Sequence, residues 1–159
     1  MVTEEELKNL NSKQKLEYYA VKEFLEVYKT QRHICTKIIE LSDNPDVKIL
    51  LNNKIIGIEV AHAFYDTEEA KMLLGQKYKN YSFHEIMPDD DFVKPIQKIL
   101  HKKSTKNYGK DTWLVIRSAS PIFSADTLEL YSKNLLIPEN HFDQIWIVFN
   151  RFNTISQIQ

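Results

Sequence analysis

The segment over residues 46–60 constrains the fold more than any other part of this 159-residue chain. Two apolar runs rich in β-branched residues lie on either side of Asn52-Asn53. Asparagine tolerates the positive φ angles of a two-residue turn, so this pattern predicts an antiparallel β-hairpin. Such a short loop also fixes the register: Leu51 must pair with Lys54, and each step outward pairs the next two residues.

Helical and extended patterns alternate along the rest of the chain. They predict a helical region that reaches residue 41, helices over 66–79, 91–108 and 125–134, and buried strands over 112–117 and 144–149. This order predicts a single α/β domain over 1–159 with a mixed central sheet flanked by helices. We expect N-terminal helices over 1–41, an α/β core over 42–150 and a polar tail over 151–159.

The scarcity of glycine excludes several kinds of functional site. Only Gly57, Gly75 and Gly109 are present, so the chain has no glycine-rich loop for a dinucleotide or a nucleotide phosphate. A nucleophile elbow of the G-x-S-x-G type is also absent. Any chemistry must therefore come from side chains on regular elements.

Charge and cysteine content indicate the environment. The formal net charge is −1, which gives no overall basic excess for nucleic acid, and Cys35 is the single cysteine, which excludes a disulfide framework. No apolar run approaches the length of a membrane span, and the first residues lack a signal-peptide pattern. We expect a cytoplasmic protein that does not interact with membranes.

The hairpin register brings two carboxylates together. Continuing the pairing outward places Asp46 opposite Glu59, on the same face of the hairpin. Facing carboxylates repel unless a proton, water or a cation intervenes, and Gly57 would leave open space beside Glu59 for a ligand. Two interpretations remain open: a solvated hairpin face without function, or a site for a hard divalent cation such as Mg²⁺.

Pro45-Asp46, followed after thirteen residues by Glu59 within the strand IIGIEV, resembles the PD-(D/E)XK nuclease superfamily. The resemblance covers roughly residues 38–118 and implies a restriction-endonuclease-like core. It implies that Asp46, Glu59 and the main-chain carbonyl of Val60 bind Mg²⁺ or Mn²⁺. It also implies help from an acidic residue on the preceding helix, for which Glu40 is the candidate.

The sequence departs from this pattern at one position. The superfamily's lysine would stand two residues after the acid, where this chain has Ala61. Some members of the superfamily carry that lysine on a neighbouring helix. Lys103 falls within the apolar arc of the predicted helix, about 20° from Ile96, so it must extend to solvent or meet a carboxylate. Lys103 is therefore the predicted replacement, with Lys102 or Lys106 as alternatives.

The same helix carries an unusual run of lysines. Residues 94–110 contain six lysines and no acidic residue. Four of the lysines recur every four residues: Lys94, Lys98, Lys102 and Lys106. Such a stripe is either an ordinary solvated face or a surface that contacts the phosphates of nucleic acid.

Two functions of different kinds follow. The first is metal-dependent hydrolysis of phosphodiester bonds in nucleic acid, with Asp46, Glu59 and Lys103 as catalytic residues. The alternative is a nuclease-like fold without activity that binds protein or nucleic acid as a regulatory or immunity module; Ala61 and the near-neutral net charge favour it.

Overall fold

The structure is a computed structural model that describes residues 2–63 and 87–159. Its described helices are α1 (Glu4–Lys8), α2 (Ser12–Arg32), α3 (Lys94–Ser104) and α4 (Ala125–Tyr131). The described strands are β1 (Thr36–Leu41), β2 (Val47–Leu51), β3 (Lys54–Ala63), β4 (Thr112–Ser118), β5 (Gln144–Phe149) and β6 (Thr154–Gln157). The helix predicted over 66–79 lies outside the described residues.

The described strands form one mixed sheet in the order β1-β2-β3-β4-β5-β6. The three central strands β3, β4 and β5 run parallel to one another, whereas β1, β2 and β6 pair antiparallel with their neighbours. Helices lie on both faces of the sheet, and α1 and α2 precede it. The predicted fold class, an α/β domain with a mixed central sheet and an N-terminal helical segment, is confirmed.

The hairpin between β2 and β3 has the predicted turn and register. Asn52 and Asn53 have φ angles of 45° and 69°, as a two-residue hairpin turn of this kind requires. Leu51 pairs with Lys54, and the ladder continues to Val47, which pairs with Ile58. This register decides which residues of β3 face each side of the sheet.

The two faces of the sheet bury separate apolar cores. Even-numbered residues of β3, such as Ile56 and Ile58, share a core with α2, while Ala61 and Ala63 share the other core with α3 and α4. The two tryptophans, Trp113 and Trp146, lie buried in the α2-side core. Glu59, an odd-numbered residue of β3, therefore lies on the α3 side.

Residues 36–41 were predicted as the end of a helical region, and this prediction is wrong. Helix α2 ends at Arg32 because His33 adopts a left-handed conformation, with φ of 52°. The chain then forms β1, whose partly buried Ile38 and Leu41 pack against the α2-side core while its backbone pairs with β2.

Two other boundaries also differ from the prediction. The expected polar tail contains β6, in which Ile155 is buried opposite Val148 of β5. The helix predicted over 91–108 is shorter: a π-helical turn over Asp89–Val93 leads into α3, and Thr105 caps its end. Lys106 therefore lies beyond the helix.

Candidate metal and phosphate site

Asp46 lies where the chain enters β2, with only 5% of its surface exposed. Its Oδ2 accepts a hydrogen bond from the main-chain N–H of Val60 at 2.9 Å, and its own carbonyl accepts one from Ser42 N at 2.8 Å. Val47 is the first residue of β2 that pairs with β3. The hydrogen bond between Asp46 and Val60 extends the connection between the two strands by one residue. It holds the carboxylate of Asp46 next to the Glu59 segment of β3.

Glu59 is 4% exposed and forms an ion pair with Lys103 of α3. The Lys103 Nζ atom lies 2.6 Å from Glu59 Oε1, and the Lys103 side chain is only 18% exposed. Glu59 Oε2 is also buried, but it has no hydrogen-bond partner. One oxygen of this carboxylate is thus paired with a lysine from another element, while the second is buried without a partner that meets hydrogen-bond geometry.

The absence of a lysine at position 61 has a structural counterpart. Ala61 is buried in the α3-side core, in the same cluster as Ile96 and Leu100 of α3. A small side chain at this position lets the helix pack on β3, and one turn beyond Ile99 the helix delivers Lys103 to Glu59. The contact predicted between Lys103 and a carboxylate is therefore present.

Glu17 of α2 is a member of this cluster that the sequence analysis missed. It is 5% exposed, and Lys13, one helical turn earlier, lies 3.0 Å from its Oε1. The available signal was its spacing: Glu17 stands three, four and seven residues before Ala20, Val21 and Phe24, all of which are buried.

The pKa of Asp46 is raised to about 7, mainly because burial disfavours the charged form. The negative charges of Glu59 and Glu17 raise it further, whereas the hydrogen bond from Val60 and the charge of Lys103 lower it. Asp46 and Glu59 also contribute to a raised pKa of Lys13, after its hydrogen bond to Glu17. Three carboxylates thus share two ammonium groups, which leaves one negative charge uncompensated when all are ionised.

Glu40 was predicted as an acidic residue on the helix before Asp46, and its placement on a helix is wrong. It lies on strand β1, is exposed, and forms an ion pair with Lys48 at 3.2 Å. The error follows from the helical interpretation of residues 34–41. The acidic residue that a preceding helix does bring near Asp46 is Glu17.

The sequence predicted open space for a ligand beside Gly57, and this prediction is wrong. A Cβ atom at this position would lie 2.5 Å from Cγ of Pro45 and 3.2 Å from Oγ1 of Thr112. The proline that precedes Asp46 fills the space, so Gly57 allows the chain before β2 to approach β3 closely.

Tyr108 lies next to the Glu59 carboxylate, and His62 lies near the cations of the cluster. The buried Tyr108 hydroxyl has no partner that meets hydrogen-bond geometry. Burial raises the pKa of Tyr108, and the charge of the nearby Glu59 carboxylate raises it further. Burial, followed by the charges of Arg117, Lys103 and Lys13, lowers the pKa of His62 to about 4, so this residue is neutral at physiological pH.

The lysine stripe is divided by its surroundings. Lys94 is paired with Asp90, its neighbour one turn away. Lys98 and Lys102 are exposed on α3, and Lys106 is exposed just after it. Lys98, Lys102 and Lys106, all predicted to contact nucleic acid, therefore present their ammonium groups to solvent. Lys103 is the lysine of this run that contacts the carboxylate cluster.

Among residues 2–63 and 87–159, no three or more His, Cys, Asp or Glu side chains form a group that could hold a metal ion by themselves. None of the helices in the described ranges is long and apolar enough to cross a membrane.

Comparisons with known proteins give no relative from which a function could be transferred. No family model, no curated protein and no solved structure matches this chain. The functional interpretation consequently depends on the geometry and chemistry of the cluster itself.

Proposed function

We propose that this protein hydrolyses phosphodiester bonds in nucleic acid with the help of Mg²⁺ or Mn²⁺ held by Asp46 and Glu59. One observation carries the proposal: a lysine from α3 meets one of two adjacent buried carboxylates, each delivered by a different strand segment. Buried charges of this kind are costly to maintain and are enriched at functional sites.

The donor set fits a hard divalent cation. Glu59 Oε2 is buried and unpartnered, and Asp46 has one oxygen bound to Val60 N–H and a second carboxylate oxygen to offer. The uncompensated negative charge of the cluster would be balanced by the cation. Mg²⁺ usually binds one or two carboxylates and keeps several waters, so two side chains suffice. The carbonyl of Val60 stays a predicted further ligand.

The bound cation would supply an activated water and would neutralise charge on the phosphate. Lys103 has a separate task, since its ammonium beside Glu59 can stabilise the negative charge that develops on the phosphoryl oxygens. Its contact with Glu59 fixes the position of this ammonium before substrate binds. The hydrogen bond from Val60 N–H orients Asp46 beside Glu59, the neighbouring residue of β3.

The exposed lysines of α3 support nucleic acid as the substrate class. Lys98 and Lys102 lie on the helix that also delivers Lys103, and Lys106 follows it. Contacts of these ammonium groups with a phosphate backbone would guide a strand toward the carboxylates despite the net charge of −1.

The inactive binding module is the second candidate, and one observation favours it. Lys103 already neutralises Glu59 without any cation, as a purely structural buried ion pair would. In that case the cluster stabilises the fold, and the exposed lysines bind a partner without cleavage.

The test is a cleavage assay on supercoiled plasmid, linear duplex DNA, single-stranded DNA and RNA, with Mg²⁺, Mn²⁺ or EDTA. We expect cation-dependent cleavage of at least one substrate by the wild type and its loss in Asp46→Asn and Lys103→Met. Two matched controls, Asp43→Asn in the exposed turn before β2 and Lys133→Met after α4, should keep wild-type activity.

Thermal-shift titration with the same cations separates the two candidates. Stabilisation by cation in the wild type but not in Asp46→Asn, together with cleavage, supports the enzyme. Stabilisation without cleavage of any substrate would support the cation site but contradict hydrolysis. A wild type whose stability ignores both cations would contradict the metal site and favour the binding module.

A further inference from the structure

Tyr108 lies in the connection between α3 and β4, next to both partners of the Lys103–Glu59 ion pair. We propose that Tyr108 is a positioning residue whose ring holds the Lys103 ammonium in place against Glu59. The inference rests on the proposed function, because it assigns Tyr108 a role in the reaction that Lys103 serves. The two are tested by different measurements.

The ring of Tyr108 is itself anchored. It stacks on the buried ring of Phe142, with centroids 5.4 Å apart and an angle of 23° between the planes. The main-chain carbonyl of Tyr108 accepts a hydrogen bond of 3.3 Å from Oγ1 of Thr112, at the beginning of β4. Stacking and this backbone contact hold the ring in a fixed orientation relative to the sheet.

Lys103 needs such a support because of where it stands. It is the penultimate residue of α3, so its backbone lies in the last turn, where helices fray. Its side chain has several rotatable bonds, and one ion pair alone does not select a single conformation. The Tyr108 ring centroid lies 5.7 Å from Lys103 Nζ, within the range of a cation–π contact.

The hydroxyl group of Tyr108 has a different relation to the site. It is buried and unpartnered, as is Glu59 Oε2. The contact with the Lys103 ammonium is made by the ring, over which Lys103 Nζ lies. The ring, rather than the hydroxyl, is therefore the part that positions Lys103, and the two parts can be separated by substitution.

Tyr108→Phe keeps the ring and removes the hydroxyl, while Tyr108→Leu removes both. We expect kcat to fall by on the order of tenfold to a hundredfold in Tyr108→Leu, since misplacing a catalytic group by about 1 Å has effects of this size. Tyr108→Phe should restore most of kcat. Cation affinity, measured by titration with Mn²⁺, should stay similar in both, because Asp46 and Glu59 are retained.

A measurement that needs no activity tests the contact directly. The ring should shift the ε-methylene proton resonances of Lys103 upfield in NMR spectra, and Lys103→Met identifies these resonances. The shift should persist in Tyr108→Phe and disappear in Tyr108→Leu. Tyr131→Leu in α4 controls for general loss of a partly buried tyrosine and should leave the resonances unchanged.

Each outcome decides the inference. An unchanged Lys103 resonance in Tyr108→Leu overturns the positioning role, and so does a lost shift with unchanged kcat. If Tyr108→Phe loses as much kcat as Tyr108→Leu, the hydroxyl and not the ring is responsible, which also overturns it. A wild type that cleaves no substrate refutes the proposed function instead, while the NMR spectra still show whether the ring holds Lys103.

Discussion

Replacing Asp46 with Asn should change how the stability of the cation-free protein depends on pH. Asn keeps the shape of the side chain and an oxygen that can accept the hydrogen bond from Val60 N–H, but it cannot ionise. The substitution therefore isolates the effect of the Asp46 charge. In the wild type, this charge appears in a buried position next to Glu59 and Glu17.

The sign and size follow from the pKa of Asp46, which rises from an ordinary 3.8 to about 7 on folding. The folded protein holds the proton more tightly than the unfolded chain, so this group's contribution is fully present below the unfolded pKa. It is lost as pH rises through the folded pKa. Between these values the free energy of unfolding should fall by up to about 1.4 kcal/mol per pH unit.

Urea denaturation in EDTA, from about pH 5 to about pH 8, measures this slope. Across this range the free energy of unfolding should fall less in Asp46→Asn than in the wild type. When each protein is compared with its own stability at acid pH, Asp46→Asn should therefore retain more stability at the alkaline end. Asp43→Asn, in the exposed turn three residues away, should follow the wild type. Parallel curves for wild type and Asp46→Asn would refute the reasoning that a buried, repelled carboxylate titrates here.

Three further predictions concern the fold and the surface. Gly57→Ala should destabilise the protein by about 1–3 kcal/mol in urea denaturation, since the new Cβ would meet Pro45; an unchanged midpoint would mean that the chain before β2 is not packed against β3. Phe24→Ala should cost about 3–5 kcal/mol, because its fully buried ring packs against two tryptophans; a loss below about 1 kcal/mol would contradict that packing. If Lys98 and Lys102 contact phosphates, replacing each with Gln should reduce the salt dependence of nucleic-acid binding. In fluorescence anisotropy titrations, the magnitude of the slope of log K against log salt should fall by about 0.7–0.9 per residue. An unchanged slope would exclude those contacts.

The parts of the fold that depend on local pattern could be predicted from the sequence. The Asn52-Asn53 turn fixes a hairpin register, and the register brings Asp46 beside Glu59. The helical period likewise places Lys103 on the buried side of α3, where a lysine needs a carboxylate partner.

The remaining parts depend on contacts between distant segments. Residues 154–157 contain a single apolar residue. This segment and residues 36–41 form strands because the edges of β5 and β2 offer them backbone partners. The space beside Gly57 is filled by Pro45, which lies twelve positions earlier in the chain.

Glu17 shows the same limit within the site. Its own helix gives it an apolar environment, but only the packing of α2 on the sheet brings its charge near Asp46. The helical interpretation of residues 34–41 instead directed attention to Glu40, which lies on an exposed strand. The resemblance implied an acidic residue on the preceding helix, and the sequence alone did not show which helix packs beside Asp46.

A crystal structure of the protein soaked in Mn²⁺, with anomalous diffraction used to locate the ion, tests directly whether Asp46 and Glu59 hold a cation. We expect a single strong anomalous peak within about 2–2.5 Å of carboxylate oxygens of both Asp46 and Glu59, and its absence in Asp46→Asn crystals. No peak at this position under saturating Mn²⁺, or a peak that persists in Asp46→Asn, would contradict a cation site at these two carboxylates.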